Sequence, residues 1–134
     1  MALSTEDRVA ILELAARIND AASRRDVTAY LSYFTSDGIL EGDMGTLVGQ
    51  DALRQGLLPI WQREGPATLH LALNPLINDE GETTRLSYTL LIVQATVPQE
   101  IVGTAQVVEQ LQKVEGHWLV THHHVALPEE PPQK

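Results

Sequence analysis

The chain has 134 residues, of which 43% are hydrophobic and 20% are charged. This length fits one domain that buries roughly two-thirds of its unfolded surface, and we expect that domain to span residues 1–127. The formal net charge of -9 repels phosphate backbones and anionic lipid headgroups, so we expect no nucleic acid and no membrane as partners. The absence of cysteine excludes disulfides, thiolate chemistry and cysteine metal sites.

The N-terminal segment lacks the features of a secretory signal, because Glu6, Asp7, Arg8 and Glu13 interrupt any apolar stretch. No apolar run in the chain approaches the length of about 20 residues that a membrane-crossing helix requires. A cytoplasmic protein is therefore expected. The sequence also contains no Gly-rich phosphate loop and no Gly-x-Ser-x-Gly elbow, which predicts a protein that works without a cofactor.

Three helices are predicted in the first half of the chain, over residues 5–23, 26–38 and 51–61. Ser4 and Asp7 have the spacing of a capping box, and apolar residues then recur at helical intervals. Asp26 is a suitable N-cap for the second helix, which is expected to end near Gly38. Pro59 is expected to end the third helix, with a last irregular turn after it.

The pattern changes to period two with β-branched residues from Thr68 onward, which predicts strands. The predicted main strands cover residues 69–77, 83–97, 101–113 and 118–127, and two shorter strands are expected at 39–41 and 46–48. Helices followed by strands indicate an α+β fold, and the compact turns between the main strands favour antiparallel pairing. Residues 128–134 are rich in Pro and Glu, which predicts a disordered C-terminal tail.

One predicted strand separates a polar face from an apolar face. Side chains alternate along a strand, so His70 and Asn74 share one side with Ala72, while the other side carries Leu69, Leu71 and Leu73. A polar face of this kind can line a cavity, where a neutral His donates or accepts a proton. The alternative is a structural histidine that bonds a neighbouring strand or loop.

A run of three histidines falls in the last predicted strand. Alternation places His122 and His124 on one face and His123 on the other. Two imidazoles at that spacing bind a metal only if a third ligand converges, and no third ligand is predictable, so no metal is expected. Pocket lining by His122 or His124 and a structural role for the run are both open.

Glu109 lies on the apolar face of its predicted strand, together with Ala105, Val107 and Leu111. A carboxylate in such a place can act as a general acid or base. The alternatives are a bulge that shifts the register near Glu109 and a strand end that is open to water.

Aromatic residues are few, so their placement is informative. Tyr30 on the second helix, Trp61 after the third helix and Tyr88 in mid-strand are candidates for a pocket wall. A phenol or indole combines an apolar surface with a polar tip that can orient a ligand oxygen. Phe34 and Trp118 are expected in the core.

Three sequence patches resemble one family by their order along the chain. They are RRDVTAYLSYFTSDG at residues 24–38, HLALN at 70–74 and GHWLVTHHH at 116–124. Together they are similar to the SnoaL-like branch of the nuclear transport factor 2-like superfamily. The resemblance implies a cone-shaped nuclear transport factor 2-like fold, in which an N-terminal helical hairpin and a third helix pack on a curved, mostly antiparallel sheet around one pocket.

The resemblance also implies a function, because the family includes isomerases, dehydratases and polyketide cyclases that need no cofactor. The chain would then bind a small hydrophobic, oxygenated molecule, with His70 as the main acid–base group and His122 as an alternative. The substrate-binding candidates are Tyr30, Trp61, Asn74, Tyr88, Glu109 and His124. A homodimer through the sheet is expected as well, since three short helices cannot cover every apolar strand face.

Two positions depart from the pattern of catalytic relatives. Many relatives carry a Tyr where this chain has Ile18 and an Asp where it has Ser23. Ser23 is too weak a base by itself, so a replacement carboxylate would have to come from Glu109, Glu41 or Asp43. The departure favours the alternative function, a non-catalytic ligand-binding or dimerisation module.

Overall fold

The computed structural model describes residues 2–79 and 82–129. The helices in this part of the chain are α1 Thr5–Ser23, α2 Val27–Ser32 and α3 Gln50–Gln62, and the strands are β1 Phe34–Gly42, β2 Gly45–Val48, β3 Thr68–Asn78, β4 Thr84–Gln94, β5 Ile101–Val114 and β6 His117–Ala126. These strands form a sheet in the order β2-β1-β6-β5-β4-β3. Neighbouring strands are antiparallel except β1 and β6, which are parallel. The predicted α+β class is confirmed.

The first helix begins as predicted. The Asp7 backbone N–H donates to the Ser4 hydroxyl at 3.0 Å, and the Ser4 N–H donates to the Asp7 carboxylate at 3.4 Å, which is the reciprocal pattern of a capping box. Beyond the cap, α1 buries one face made of Ile11, Leu14, Ala15, Ile18 and Ala22. The helical period of these residues therefore determines which side of α1 covers the sheet.

The second helix is shorter than predicted. It ends at Ser32, so the prediction of helix as far as Gly38 is wrong. The Val120 N–H donates to the Tyr33 carbonyl at 2.8 Å, and Phe34 pairs with Val120 in the parallel ladder. Bonds to β6 thus replace the helical bonds from this point onward.

The third helix continues past Pro59 to Gln62 as regular helix, close to the predicted range of 51–61, so only the irregular turn expected after Pro59 is wrong. Proline removes a hydrogen-bond donor and disfavours a helix interior. The same helix buries Leu53, Leu57 and Trp61 on one face, and Trp61 lies beyond the proline. Burial of this apolar face stabilises the last turn of α3 and offsets the missing hydrogen bond.

Strand β3 contains a bulge. Asn74 and Pro75 together oppose Tyr88 of β4, since the flanking pairs are Leu73 with Thr89 and Leu76 with Ser87. Asn74 has a φ of 54°, a left-handed conformation that Asn tolerates better than most residues. The inward alternation of the preceding residues therefore stops before Asn74, whose side chain is exposed.

A second bulge lies in β6. Val120 and His122 pair with consecutive residues of β5, so Thr121 between them is an extra residue. The Thr121 hydroxyl donates to the Gln110 carbonyl at 3.1 Å. Val120 is buried before the bulge and His123 is buried after it. The bulge consequently changes which residues of β6 face the helices.

The helices cover one face of the sheet, which we call the inner face, and the opposite side is the outer face. Core residues come from the three helices and the inner face and include Leu53, Leu57, Leu86 and Val107. No helix of the described ranges is long and apolar enough to cross a membrane.

The end of the chain beyond β6 has no regular secondary structure through Glu129. The predicted disordered tail, residues 128–134, lies outside the described residues from residue 130 onward. Its disorder and the domain boundary at residue 127 stay predictions.

Candidate functional site

A cavity of about 530 Å³ lies between the helices and the inner face of the sheet. Its wall is mainly apolar and includes Leu40, Leu57, Ile60, Trp61, Leu90 and Ile92. Polar side chains interrupt this wall at a few places, among them Asn19, Tyr30, Glu64, His70 and His123. The volume falls within the range of about 300–1,000 Å³ that is usual for small-molecule sites.

The His70 imidazole makes a short hydrogen bond to Glu64. Nε2 of His70 lies 2.6 Å from Oε1 of Glu64, and both side chains are largely buried. The Thr68 hydroxyl donates to the same carboxylate oxygen at 3.0 Å. When Glu64 is ionised, this arrangement keeps the proton on Nε2 and leaves Nδ1 of His70 as the basic nitrogen.

Contacts from the end of α1 hold this pair in place. The His70 backbone N–H donates to the Ser23 hydroxyl at 2.8 Å, and that hydroxyl donates to the Asn19 carbonyl at 3.0 Å. The Arg25 guanidinium donates to the Gly65 carbonyl at 2.5 Å. These bonds fix both β3 and the loop that carries Glu64 against α1.

A second imidazole–carboxylate pair is formed by His123 and Glu109. Nδ1 of His123 lies 2.6 Å from Oε2 of Glu109, and the two residues face each other across β5 and β6. Glu109 is 0% exposed, whereas His123 contributes to the cavity wall. Nε2 of His123 makes no hydrogen bond to a described residue, so it is available to a ligand.

Two buried polar atoms at this pair have no hydrogen-bond partner among the described residues, namely Oε1 of Glu109 itself and the hydroxyl of the nearby Tyr88. Buried polar atoms are normally paired. Asn19 and Glu109 lie close enough to the Tyr88 hydroxyl to influence its pKa, but neither makes a well-aligned hydrogen bond with it. Burial raises the pKa of Tyr88, and the charge of Glu109 raises it further. Tyr88 therefore remains protonated at neutral pH.

Tyr30 packs against Trp61 and lies near both histidine–carboxylate pairs, His70 with Glu64 and His123 with Glu109. Its ring centroid lies 5.1 Å from that of Trp61 and 6.4 Å from that of His123. Burial raises the pKa of the Tyr30 hydroxyl, and the charges of Glu109 and then Glu64 raise it further. A phenol that stays protonated in the cavity wall can donate a hydrogen bond to a ligand oxygen.

Comparison with known families gives a match over nearly the whole chain. The model of the SnoaL-like domain matches residues 4–125. The chain belongs to the SnoaL-like domain family. The resemblance drawn from the three sequence patches is thereby confirmed. No curated protein matches the chain.

Solved structures share the fold of this SnoaL-like domain. A protein of unknown function with a cystatin-like fold, from Nostoc punctiforme, is 29% identical, with a TM-score of 0.89 and 98% of each chain covered. An NTF2-like protein from Novosphingobium aromaticivorans is 19% identical, with a TM-score of 0.78 over 91% of this chain and 82% of the other. A protein from Catenulispora acidiphila, solved in complex with S-DNPA, is 16% identical, with a TM-score of 0.78 over 91% of this chain and 95% of the other. The predicted nuclear transport factor 2-like fold is confirmed.

Three of the predicted site residues of this SnoaL-like domain, His70, Tyr30 and Trp61, line the cavity. Two others, Tyr88 and Glu109, are fully buried on the inner face and are not part of the wall itself. Glu109 reaches the cavity through its bond to His123. The structure thus gathers five predicted residues around one space, and their roles in function stay predictions.

Three predicted site residues lie away from the cavity, so their expected placement in the pocket is wrong. The bulge at Thr121 turns His122 and His124 to the outer face, where their Nε2 atoms lie 3.1 Å and 3.4 Å from the Glu41 carboxylate. The bulge of β3 leaves Asn74 exposed. In β3 the extra residue ends the alternation on which the placement of Asn74 depended. In β6 His122 and His124 share one face as predicted, and the bulge makes that face the outer one. Within residues 2–79 and 82–129, no group of three His, Asp or Glu side chains is arranged to hold a metal.

Two residues of the site, Glu64 and His123, carry little signal in the sequence. Glu64 immediately precedes Gly65-Pro66, a pair that indicates only a loop. His123 is one of three consecutive histidines, and alternation alone does not say which of them faces inward. A usable signal was the carboxylate of Glu109 on an apolar strand face, since a buried carboxylate needs a partner on a neighbouring element.

The two departures from the catalytic pattern have structural explanations in this SnoaL-like domain. Ile18 is fully buried in the core, and Ser23 bonds the backbone of His70 instead of acting as a base. The carboxylate beside His70 comes from Glu64. It does not come from Glu41, which contacts the outer-face histidines.

Proposed function

We propose that this SnoaL-like domain binds a small hydrophobic molecule that carries oxygen and moves protons on it without a cofactor, in the manner of an isomerase, dehydratase or polyketide cyclase. The observation that carries the proposal is the His70–Glu64 pair at the wall of an apolar cavity. An apolar wall selects a hydrophobic ligand body, and a few convergent polar groups select its oxygen atoms. The Catenulispora acidiphila protein, solved in complex with S-DNPA, supports ligand binding in this fold.

His70 is the base in this proposal. Its Nδ1 takes a proton from a carbon next to a carbonyl, and Glu64, at 2.6 Å from Nε2, stabilises the imidazolium that forms. Tyr30 donates a hydrogen bond to the carbonyl oxygen, where negative charge collects. Return of the proton from His70 to a different carbon completes an isomerisation.

The His123–Glu109 pair extends the proposal to dehydration. Loss of a hydroxyl group requires that a proton reach the leaving oxygen, which then departs as water. In this step His123 acts as an imidazolium: it gives its Nε2 proton to the leaving oxygen and keeps the Nδ1 proton bonded to Glu109 at 2.6 Å. The proton that His70 takes from carbon balances the proton that His123 gives up.

Exchange of α-protons in D₂O tests the proposal without knowledge of the natural substrate. Cyclic ketones such as 1-tetralone are incubated with the protein, and exchange is followed by ¹H NMR. The wild-type protein should accelerate the exchange, and His70→Ala should lower the acceleration by about 100-fold. Glu64→Gln should also lower it, because the imidazolium loses its counter-charge.

The matched control is His124→Ala, which removes an imidazole from the outer face and should exchange like the wild type. A wild-type rate in His70→Ala would rule out His70 as the base. Binding of ketones by the wild-type protein without accelerated exchange would establish the alternative, a non-catalytic binding module. Ile18 and Ser23 favour that alternative, since neither side chain offers an acid or a base to the cavity.

We also propose that the outer face pairs with a second copy of the chain. Leu69, Leu71 and Leu73 of β3 are 37%, 39% and 42% exposed there. Val93 and Leu91 of β4 lie directly opposite Leu69 and Leu71, so the apolar side chains form one patch. A contiguous apolar patch on a sheet is typical of an interface, and the oligomeric state in solution tests this proposal.

A further inference from the structure

Gly103 marks an open part of the cavity wall. It lies on the same side of β5 as the buried residues Ala105 and Val107, and it lines the cavity. A Cβ atom added at Gly103 meets no heavy atom within 4 Å. The space beside this residue is therefore cavity and not packed protein.

A second glycine of the wall, Gly56, has a different reason to be small. A Cβ atom at Gly56 would lie 2.5 Å from Cδ1 of Leu47, so Gly56 allows α3 to pack closely against β2. Gly103 has no such neighbour, and it is not among the glycines that adopt a positive φ. Neither close packing nor a positive φ requires glycine at position 103.

Gly103 shares a cross-strand row with the proposed base. His70 pairs with Ile92, and Ile92 pairs with Gly103. Two strand spacings separate the ends of this row by about 10 Å. All three residues line the cavity, so a side chain at position 103 would enter the space that a ligand beside His70 extends into.

We propose that Gly103 sets the length of the ligand that the cavity accepts beside His70. Glycine weakens a strand interior because it packs no side chain, and here it leaves room along the row. The ligand class is an apolar molecule whose oxygen contacts His70 and whose hydrophobic body runs over Ile92 toward Gly103. This inference rests on the proposed function, since it requires a ligand in the cavity.

A series of 4-alkylphenols, from methyl to octyl, measures the available length by calorimetric titration. In the wild-type protein each added methylene should tighten binding by about fourfold until the chain fills the row, after which the affinity levels off. In Gly103→Leu the affinity should stop improving at an alkyl chain about three carbons shorter than in the wild type, because the new side chain occupies that space. In Gly103→Ala it should stop improving at a chain about one carbon shorter.

The matched control is Gln112→Leu, which adds an apolar side chain at an exposed position on the outer face of the same strand. It should give the wild-type series. Gly103→Ala keeps the test decisive if Gly103→Leu does not fold, which urea unfolding would reveal.

The possible results separate the two proposals. An unchanged series in both Gly103 variants would overturn this inference and leave the proposed binding function intact. A wild-type protein that binds none of the phenols would overturn the proposed function and this inference with it. Shortened series without any ketone exchange would support this inference while the catalytic proposal fails.

Discussion

Glu109 is a buried carboxylate with one hydrogen-bonded oxygen and one oxygen that has no partner among the described residues. Its stability depends on His123, since removal of the imidazole leaves a buried carboxyl group without its hydrogen bond. We expect His123→Ala to lower the free energy of unfolding by about 3–5 kcal/mol, as measured by urea titration.

His124→Ala is the control at the neighbouring position, because His124 is exposed on the outer face. Its effect should stay within about 0.5 kcal/mol. Equal losses in the two variants would contradict the assignment of His123 as the inward residue.

Tyr88 carries the second unpaired atom, its hydroxyl. Because that hydroxyl has no partner, Tyr88→Phe should change the free energy of unfolding by less than about 1 kcal/mol near pH 7. The folded state raises the pKa of Tyr88 above its ordinary value of 10.0. Tyr88 therefore contributes stability that is fully present below pH 10.0 and is lost as the pH rises further, when the unfolded chain ionises first.

Urea unfolding at about pH 7 and about pH 10.5 checks both parts of the Tyr88 prediction. Tyr88→Phe should lose less stability than the wild type between the two conditions. A loss of several kcal/mol in the variant at neutral pH would show instead that the hydroxyl makes a hydrogen bond in solution.

The candidate site could be predicted from the sequence only where alternation is unbroken. His70 faces the cavity because the strand pattern from Thr68 to Ala72 is regular, and the pattern itself predicts this face. Glu64 could not be predicted, since no local rule places a loop carboxylate beside a histidine six residues later. That contact depends on how the loop after α3 folds back, which is a tertiary property.

At the scale of elements, Asp7 links the start of α1 to the β5–β6 hairpin. Its Oδ1 accepts hydrogen bonds from Nζ of Lys113 at 2.9 Å and from Nε1 of Trp118 at 3.0 Å. These bonds, with the Lys113 bond largest and the Ser4 cap contributing, hold the pKa of Asp7 well below its ordinary value of 3.8. A depressed pKa gives stability that is present above pH 3.8 and is lost as the pH falls below it.

Asp7→Asn should therefore lower the melting temperature at neutral pH and weaken the loss of stability in acid. Thermal unfolding between about pH 7 and about pH 3, followed by circular dichroism, measures both effects. Glu6→Gln is the matched control in the same helical turn, because no hydrogen bond of the Glu6 side chain contributes to this link. An Asp7→Asn variant with wild-type acid sensitivity would contradict the role of Asp7.

The elements that could be predicted are those with an unbroken period. The period of apolar residues gives the bounds of α1, and the β-branched stretches locate the four long strands. The bulges at Asn74 and Thr121 could not be predicted, because a single extra residue changes the face without changing the composition of the strand. The end of α2 was placed too late for a related reason, since Phe34 fits a helix face and a buried strand equally well.

For the molecule as a whole, the apolar patch on the outer face predicts a dimer. If it pairs with a second copy, Leu71→Lys should convert a dimer into a monomer by placing a charge in the apolar patch. Light scattering after size-exclusion chromatography measures the mass of each variant. Val9→Lys, at an exposed position of α1, is the control and should keep the wild-type mass. A wild-type protein that runs as a monomer would contradict this interface.

Two histidines, His70 and His123, face the cavity, and the other three do not. The most direct test is a ¹H–¹⁵N correlation spectrum of the imidazole nitrogens of all five histidines, recorded before and after addition of 1-tetralone. The signals of His70 and His123 should shift with ligand, and those of His117, His122 and His124 should stay in place. Shifts confined to His122 and His124, or no shift at all, would contradict ligand binding beside His70 and His123.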